Sequence, residues 1–152
     1  MTISKKCIMS VKFVVTIDAK ASKVWAVLTS PFLMTQWMGS SEMKVEVETD
    51  WKINAPLVVR GFHHVKFENK GVVLRCIPEE QLTYSHLSSV SRLPDETGNY
   101  TILDFILTPT GNRTILTLGI SNFPTEIIRK HLEFYWRGTM HRLKKCVEND
   151  EH

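Results

Sequence analysis

Hydrophobic residues recur at every second position through the middle of this chain and at every third or fourth position near its C-terminal end. Period two belongs to a half-buried strand and period 3.6 to an amphipathic helix, so the pattern divides the chain into a sheet and a long closing helix. Residues 11 to 17, rich in β-branched side chains, predict a first strand. Val24, Trp25 and Leu28 then give a short helix one buried side, and Pro31 ends it and opens another turn toward Trp37.

From Glu42 to Ile120 the alternation is broken repeatedly by turn residues. Met43, Val45 and Val47 alternate with Lys44, Glu46 and Glu48, and Thr49 and Asp50 supply a turn before Trp51, Lys52 and Ile53, which predicts a hairpin. A second hairpin is predicted between Phe62–Phe67 and Gly71–Ile77, turning at residues 68–71, where Asn69 and Gly71 tolerate positive φ. Further strands follow at Leu82–Leu87, Asn99–Leu107 and Thr114–Ile120, the last two joined through residues 109–112. About seven strands result. Their connections are mostly too short for helical crossovers, so the sheet is expected to be antiparallel.

After Ile120 the spacing changes to three and four: Ile128, Leu132, Tyr135, Trp136, Thr139, Leu143, Cys146 and Val147 share one stripe, with Asn122 as cap and Pro124 in the first turn. The pairs Glu126 with Lys130 and Glu133 with Arg137 suit the exposed side. A helix of this length must lay its stripe on the sheet, which makes the fold α+β. A twisted sheet wrapped around one helix leaves an open end where a cavity can form.

Composition narrows the function classes. The 152 residues suit a single domain, 1–152, with its core at about 11–148; 43% hydrophobic and 23% charged residues are ordinary for a globular chain. The net charge of +3 is dispersed over Lys5, Lys6, Lys20, Lys23, Arg142, Lys144 and Lys145, and an acidic end holds Glu148, Asp150 and Glu151. Nucleic-acid binding needs a denser basic face. No apolar run is long enough for a membrane span, and the segment from Met1 to Val15 lacks the layout of a signal peptide. Cys7, Cys76 and Cys146 have unrelated spacings that make neither a disulfide framework nor a zinc motif, so free thiols in a reducing cytoplasm are expected.

The order of these elements and several local sequences resemble the START-like superfamily, also called Bet v 1-like or SRPBCC, whose helix-grip fold wraps an antiparallel sheet around a long terminal helix. The carriers are Ile17, Asp18 and Ala19 before Lys23, Val24 and Trp25; Leu28 to Pro31; Trp37, Met38 and Gly39; Gly71 to Leu74 with Pro78; Leu82, Thr83 and Tyr84; Leu107, Thr108 and Pro109; Arg113 to Leu118; and Tyr135 and Trp136 before Leu143. Within the superfamily the chain is similar to single-domain proteins of the family named for activators of the heat-shock-protein ATPase. It departs from the family pattern at Thr49 and Asp50, where a glycine pair is common, at Ala21 in place of proline, and at His86 in place of an aromatic. These departures make the wall near Trp51 and His86 individual to this chain.

Strand parity supplies the expected cavity lining. Tyr84 and His86 share a face with Leu82; Leu103 and Phe105 share one with Thr101 and Leu107, and Leu118 one with Leu116 and Ile120. Trp37, Met38, Met43, Trp51 and Ile53 are expected from the mouth side, and Trp136, Thr139 and Met140 from the helix. Most of these positions would be apolar filler with or without a ligand. His86 can bind a ligand carbonyl or act as a base, against the plainer role of a hydrogen-bonded core histidine. His63 and His64, adjacent in an expected strand, point to opposite faces and cannot share a metal from one wall. Arg60 and Arg75 can orient an acidic headgroup or simply face solvent, as His131 and His141 are expected to do, and Asp104 is expected to point outward.

No nucleophile elbow, phosphate loop or metalloprotease motif occurs. The leading expectation is a cytoplasmic, cofactor-free binding protein with a cavity for a small hydrophobic or amphipathic molecule, lipids included, and with no metal and no catalytic residue. The alternatives are a cyclase-, lyase- or hydrolase-like enzyme using Tyr84, His86 and one arginine, and a co-chaperone-like interaction module with a chaperone or a second copy as partner. The apolar outer residues Ile102 and Ile106 would mark such an interface.

Overall fold

The computed structural model describes residues 9–149; Lys5, Lys6, Cys7, Asp150 and Glu151 lie outside them. In chain order the elements are β1 (Val11–Ile17), α1 (Ala21–Thr29), α2 (Pro31–Trp37), β2 (Glu46–Glu48), β3 (Pro56–His63), β4 (Val65–Ile77), β5 (Gln81–Ser88), β6 (Thr101–Thr110), β7 (Arg113–Ser121) and α3 (Glu126–Glu148). The strands form one antiparallel sheet in the order β1-β7-β6-β5-β4-β3-β2. This is the expected α+β helix-grip arrangement.

Alternation is strictest in β6 and β7, where Thr101, Leu103, Phe105 and Leu107 and then Thr114, Leu116, Leu118 and Ile120 are buried while their neighbours are not. That buried side receives α1, α2 and the stripe of α3 formed by Leu132, Trp136, Thr139, Met140, Leu143 and Val147. Thr125 caps α3 by accepting from the Ile128 N–H at 3.2 Å, not Asn122, whose amide instead donates to the Tyr100 carbonyl at 2.6 Å. Glu133 pairs with Arg137 as expected and also with Arg129, and Arg129 pairs with Glu126 in the place expected for Lys130. Ser30 caps α2, with Pro31 in its first turn.

Two hairpins differ from expectation. Trp51, Lys52 and Ile53 form no strand: Trp51 at φ 61° and Asn54 at φ 67° bend the chain between β2 and β3. The turn between β3 and β4 falls at His63 and His64, the latter at φ 66°, and β4 runs unbroken through residues 68–71. Gly71 serves a different purpose from a turn. A Cβ there would stand 1.7 Å from the Ser85 carbonyl oxygen, so β4 and β5 approach each other at a point that admits no side chain. Just beyond, the register shifts between Val73 and Arg75 as a bulge.

The free edge of β1 is closed by the last turns of α3. The Lys144 ammonium donates to the Thr16 carbonyl at 2.9 Å, and the Asp18 N–H donates to the Glu148 carboxylate at 2.8 Å. Lys144 and Glu148 also pair with each other at 2.6 Å. Side chains thus satisfy backbone groups that an edge strand would otherwise present to another chain.

Candidate ligand site

Between sheet and helix the space is held by a run of aromatic rings. Tyr84 of β5 stacks on Phe105 of β6 with centroids 6.0 Å apart; Phe105 meets Trp136 of α3 edge-on at 5.7 Å, and Trp136 meets Trp37 of α2 at 6.2 Å. Tyr135 adds a perpendicular contact to Trp136 at 5.3 Å. Offset and edge-to-face geometries are those that aromatic quadrupoles favour. The C-terminal end of α2 is fastened to α3 from the same place: Tyr135 donates its hydroxyl to the Met38 carbonyl at 2.5 Å, and Arg142 donates to the Trp37 carbonyl at 3.1 Å. Arg142 also donates to the Thr139 hydroxyl at 2.6 Å, which accounts for that buried polar group.

Of the expected lining, Trp37, Met38, Tyr84, Leu103, Phe105, Leu118, Trp136, Thr139 and Met140 are buried together, with Met43 and Trp51 packed at their margin. Trp37 lies in the core at 1% exposure, away from any opening, because its indole N–H donates to the Val27 carbonyl at 3.1 Å. Trp51 likewise donates to the Thr29 carbonyl at 2.6 Å, and so fixes the chain before β3 to the end of α1. Ile53 is brought to none of these, being 53% exposed on the turn. Two surface depressions lie elsewhere. One of about 350 Å³ is bordered by Thr35, Ser40, Ser41 and Lys44; one of about 270 Å³ on the outer face of the sheet surrounds Asp104, Ile106 and Thr117.

A polar patch interrupts the apolar inner wall where β4, β5 and β6 meet. Phe67, Asn69, Gly71 and Val73 occupy the inward positions of β4, while Lys66, Glu68, Lys70 and Val72 are exposed on the other side. The Asn69 Oδ1 atom is buried and has no hydrogen-bond partner among the described residues. Along the same wall His86 pairs with Thr101 of β6, and Tyr84 pairs with Leu103. Tyr84 is 4% exposed, and no described residue hydrogen-bonds to its hydroxyl. Burial holds that phenol well above its ordinary pKa, with Tyr135 adding to the effect. Asn69 was missed by sequence reasoning because it was assigned to a turn; the unbroken inward parity of 67, 69, 71 and 73 is the signal that would have placed it.

The enzyme constellation is not assembled. Arg60 faces outward and is held by Glu68 at 3.1 Å and Glu48 at 3.2 Å, and Arg75 is exposed, so neither arginine joins Tyr84 and His86. His63 and His64 are both exposed at their turn, with ring centroids 4.6 Å apart, instead of pointing to opposite faces of a strand. Among the described residues no group of three or more metal-ligating side chains converges. Asp104 faces outward as expected and accepts from Gln81 and Thr83, each at 2.8 Å. Cys76 and Cys146 are half-buried free thiols whose pKa burial raises.

His86 is a neutral group at pH 7, its pKa pushed down to about 4 by burial and secondarily by His131 on α3. Because the unfolded imidazole titrates near 6.5, the unfolded chain takes up the proton first on acidification. The stability that this group contributes is therefore complete above pH 6.5 and lost as the pH falls toward 4. We expect on the order of 2 kcal/mol to be lost across that window, less than the whole shift because the ring is only half-buried. Urea unfolding at pH 7 and pH 4.5 checks this: the difference should shrink in His86→Gln, and an unchanged difference would assign the acid sensitivity to other groups.

The sequence from residue 18 to residue 148 matches the family of Activator of Hsp90 ATPase homolog 1-like protein. No curated protein matches the chain. Among solved structures, the fold is similar to that of protein CV1439 from Chromobacterium violaceum, with TM-score 0.81, 18% identity, and 93% of this chain and 98% of that one covered. ChR145 from Cytophaga hutchinsonii is 29% identical, with TM-score 0.76 and 97% of each chain covered. The Aha1 dimer from Colwellia psychrerythraea gives TM-score 0.73 at 16% identity, with 95% of this chain and 99% of that one covered. The match in sequence spans most of the chain and the architecture agrees with it: this protein belongs to the Activator of Hsp90 ATPase homolog 1-like family.

Proposed function

We propose that this chain binds a small amphipathic molecule between α3 and the inner wall of β4, β5 and β6, without transforming it. The observation that supports this most is Asn69 Oδ1, a buried acceptor with no hydrogen-bond partner among the described residues, on the same inner wall as Tyr84 and His86 and opposite Ser88 in the register. An unpaired buried polar atom costs roughly 1–3 kcal/mol, and a ligand hydrogen bond would recover that cost. The apolar end of the molecule would lie against Phe105 and Trp136, parting their edge contact. Trp136 emission therefore reports binding. Native mass spectrometry of protein purified from its own host should find a one-to-one small-molecule adduct, and adding the released compound back to stripped protein should change tryptophan emission saturably. Protein that carries no adduct and gives no saturable response to aliphatic amphiphiles would remove this reading.

A second reading, a co-chaperone-like interaction module, is favoured by Ile127 and Phe134. They are seven residues apart on α3, and each is 80% exposed, more than an isolated surface hydrophobe requires. Stimulation of an Hsp90 ATPase by the purified chain would support it, and an unaltered ATPase rate would count against it.

A further inference from the structure

The net charge of this chain is concentrated on one element. α3 holds six lysines and arginines against three glutamates, so this helix alone carries +3, the same as the whole chain, and the remainder sums to zero. Each of the three carboxylates is neutralised from within the helix: Glu126 by Arg129, Glu133 by Arg129 and Arg137, and Glu148 by Lys144. Lys130, Arg142 and Lys145 have no carboxylate partner among the described residues, Arg142 giving its hydrogens to the Trp37 carbonyl and the Thr139 hydroxyl.

Two of these cations share their side of the helix with Ile127 and Phe134, each 80% exposed. Ile127 and Phe134 are seven residues apart, which places them on one line about 10 Å apart along the axis. Lys130, three positions after one and four before the other, neighbours both. His141 and Lys145 continue the line toward the C-terminal end, and all of these residues are exposed. The stripe of Leu132, Trp136, Met140, Leu143 and Val147 is buried on the opposite side. The face is therefore turned away from the sheet, with two apolar side chains standing out among cations.

Two copies meeting across this face would set cations against cations, with no free carboxylate among the described residues of α3 to pair them. Nucleic acid would meet apolar side chains and too few cations. A protein would need pockets shaped for two protruding side chains, whereas a fluid lipid interface closes around them. No described helix is long and apolar enough to cross a membrane, so α3 would lie on such a surface and not through it. We propose that the outward face of α3 docks this protein onto an anionic lipid surface. Ile127 and Phe134 enter the headgroup layer, and Lys130 and Lys145 meet lipid phosphates. The proposal is independent of the ligand reading, which concerns the inner wall, and it takes the face that the second reading gives to a protein partner.

Co-sedimentation with vesicles tests it, using phosphatidylcholine alone and phosphatidylcholine mixed equally with phosphatidylglycerol. We expect the natural chain to sediment with the mixed vesicles, to stay behind with phosphatidylcholine, and to be released by about 0.5 M salt. Lys130→Gln and Lys145→Gln should each weaken binding to the mixed vesicles about fivefold. Phe134→Ser should weaken it about tenfold. Val14→Ser, on the outer face of the sheet, should leave it unchanged, and melting curves confirm that each variant is folded. Equal binding to both kinds of vesicle, or binding indifferent to the lysine and Phe134 variants, would overturn the proposal. So would a chain that ignores the mixed vesicles, whether it instead forms a dimer that Phe134→Ser breaks or binds polyglutamate through the same lysines. None of these results bears on the ligand reading, whose adduct and emission change are measured without vesicles.

Discussion

Replacing Trp136 with alanine is expected to cost about 3–5 kcal/mol, the usual range for emptying a large aromatic from a packed core. Trp136 touches Trp37 and Phe105 as well as the adjacent Tyr135 ring, so it joins α3 to both β6 and α2 through one side chain. Such a loss is a large fraction of the roughly 5–15 kcal/mol that holds a domain folded. For a chain of this size it lowers the melting temperature by on the order of 10 °C. Trp136→Phe retains part of the contact area and should lose about half as much. Guanidinium unfolding measures both, and a loss below about 1 kcal/mol for Trp136→Ala would show that the rings around it close the gap unaided.

Gly71→Ala is the second large effect, and it comes from adding one carbon. The new Cβ would be placed 1.7 Å from the Ser85 carbonyl oxygen and 2.4 Å from its carbon. Backbone cannot swing aside as a flexible side chain does, so β4 and β5 must separate. Separation strains the Val72 N–H bond to the Ser85 hydroxyl, now 3.0 Å, and the bulge beyond it. We expect about 3 kcal/mol of destabilisation. Gly98→Ala is the matched control, because a Cβ there meets nothing within 4 Å, and its effect should stay within about 0.5 kcal/mol. Similar melting curves for the two variants would contradict the close approach of the strands.

The architecture was legible because its strongest signals are periodic. Alternation over Thr101–Leu107 and Thr114–Ile120, and the three-and-four spacing from Ile128 to Val147, each reflect one buried face and survive any small error in boundaries. The turns were less legible because their residues have more than one use. Asn69 and Gly71 have the composition of a tight turn, yet they stand inside a strand, one aimed inward and the other admitting the Ser85 backbone. At the bend before β3 the positive φ falls on Trp51, a bulky type that seldom adopts it, and at the β3–β4 turn on His64 and not on the expected Asn69 or Gly71. Parity found Tyr84 and His86 on the inner wall, but finding Asn69 required knowing that β4 is continuous. Ile53 was misplaced for the same kind of reason, since a β-branched residue after Trp51 reads as strand when the bend at Trp51 is unknown.

The fastening of β1 by Lys144 and Glu148 also dictates an order of events during synthesis. β1 emerges first, but its pairing strand, β7, follows about a hundred residues later, and the side chains that seal its other edge come later still. At ribosomal speeds of roughly 5–20 residues per second, that leaves the first strand unpaired for several seconds. Lys12 and Thr16, which alternate with Phe13 and Val15 and bring a charge and a hydroxyl to the strand, keep it from being a wholly apolar β segment during that wait.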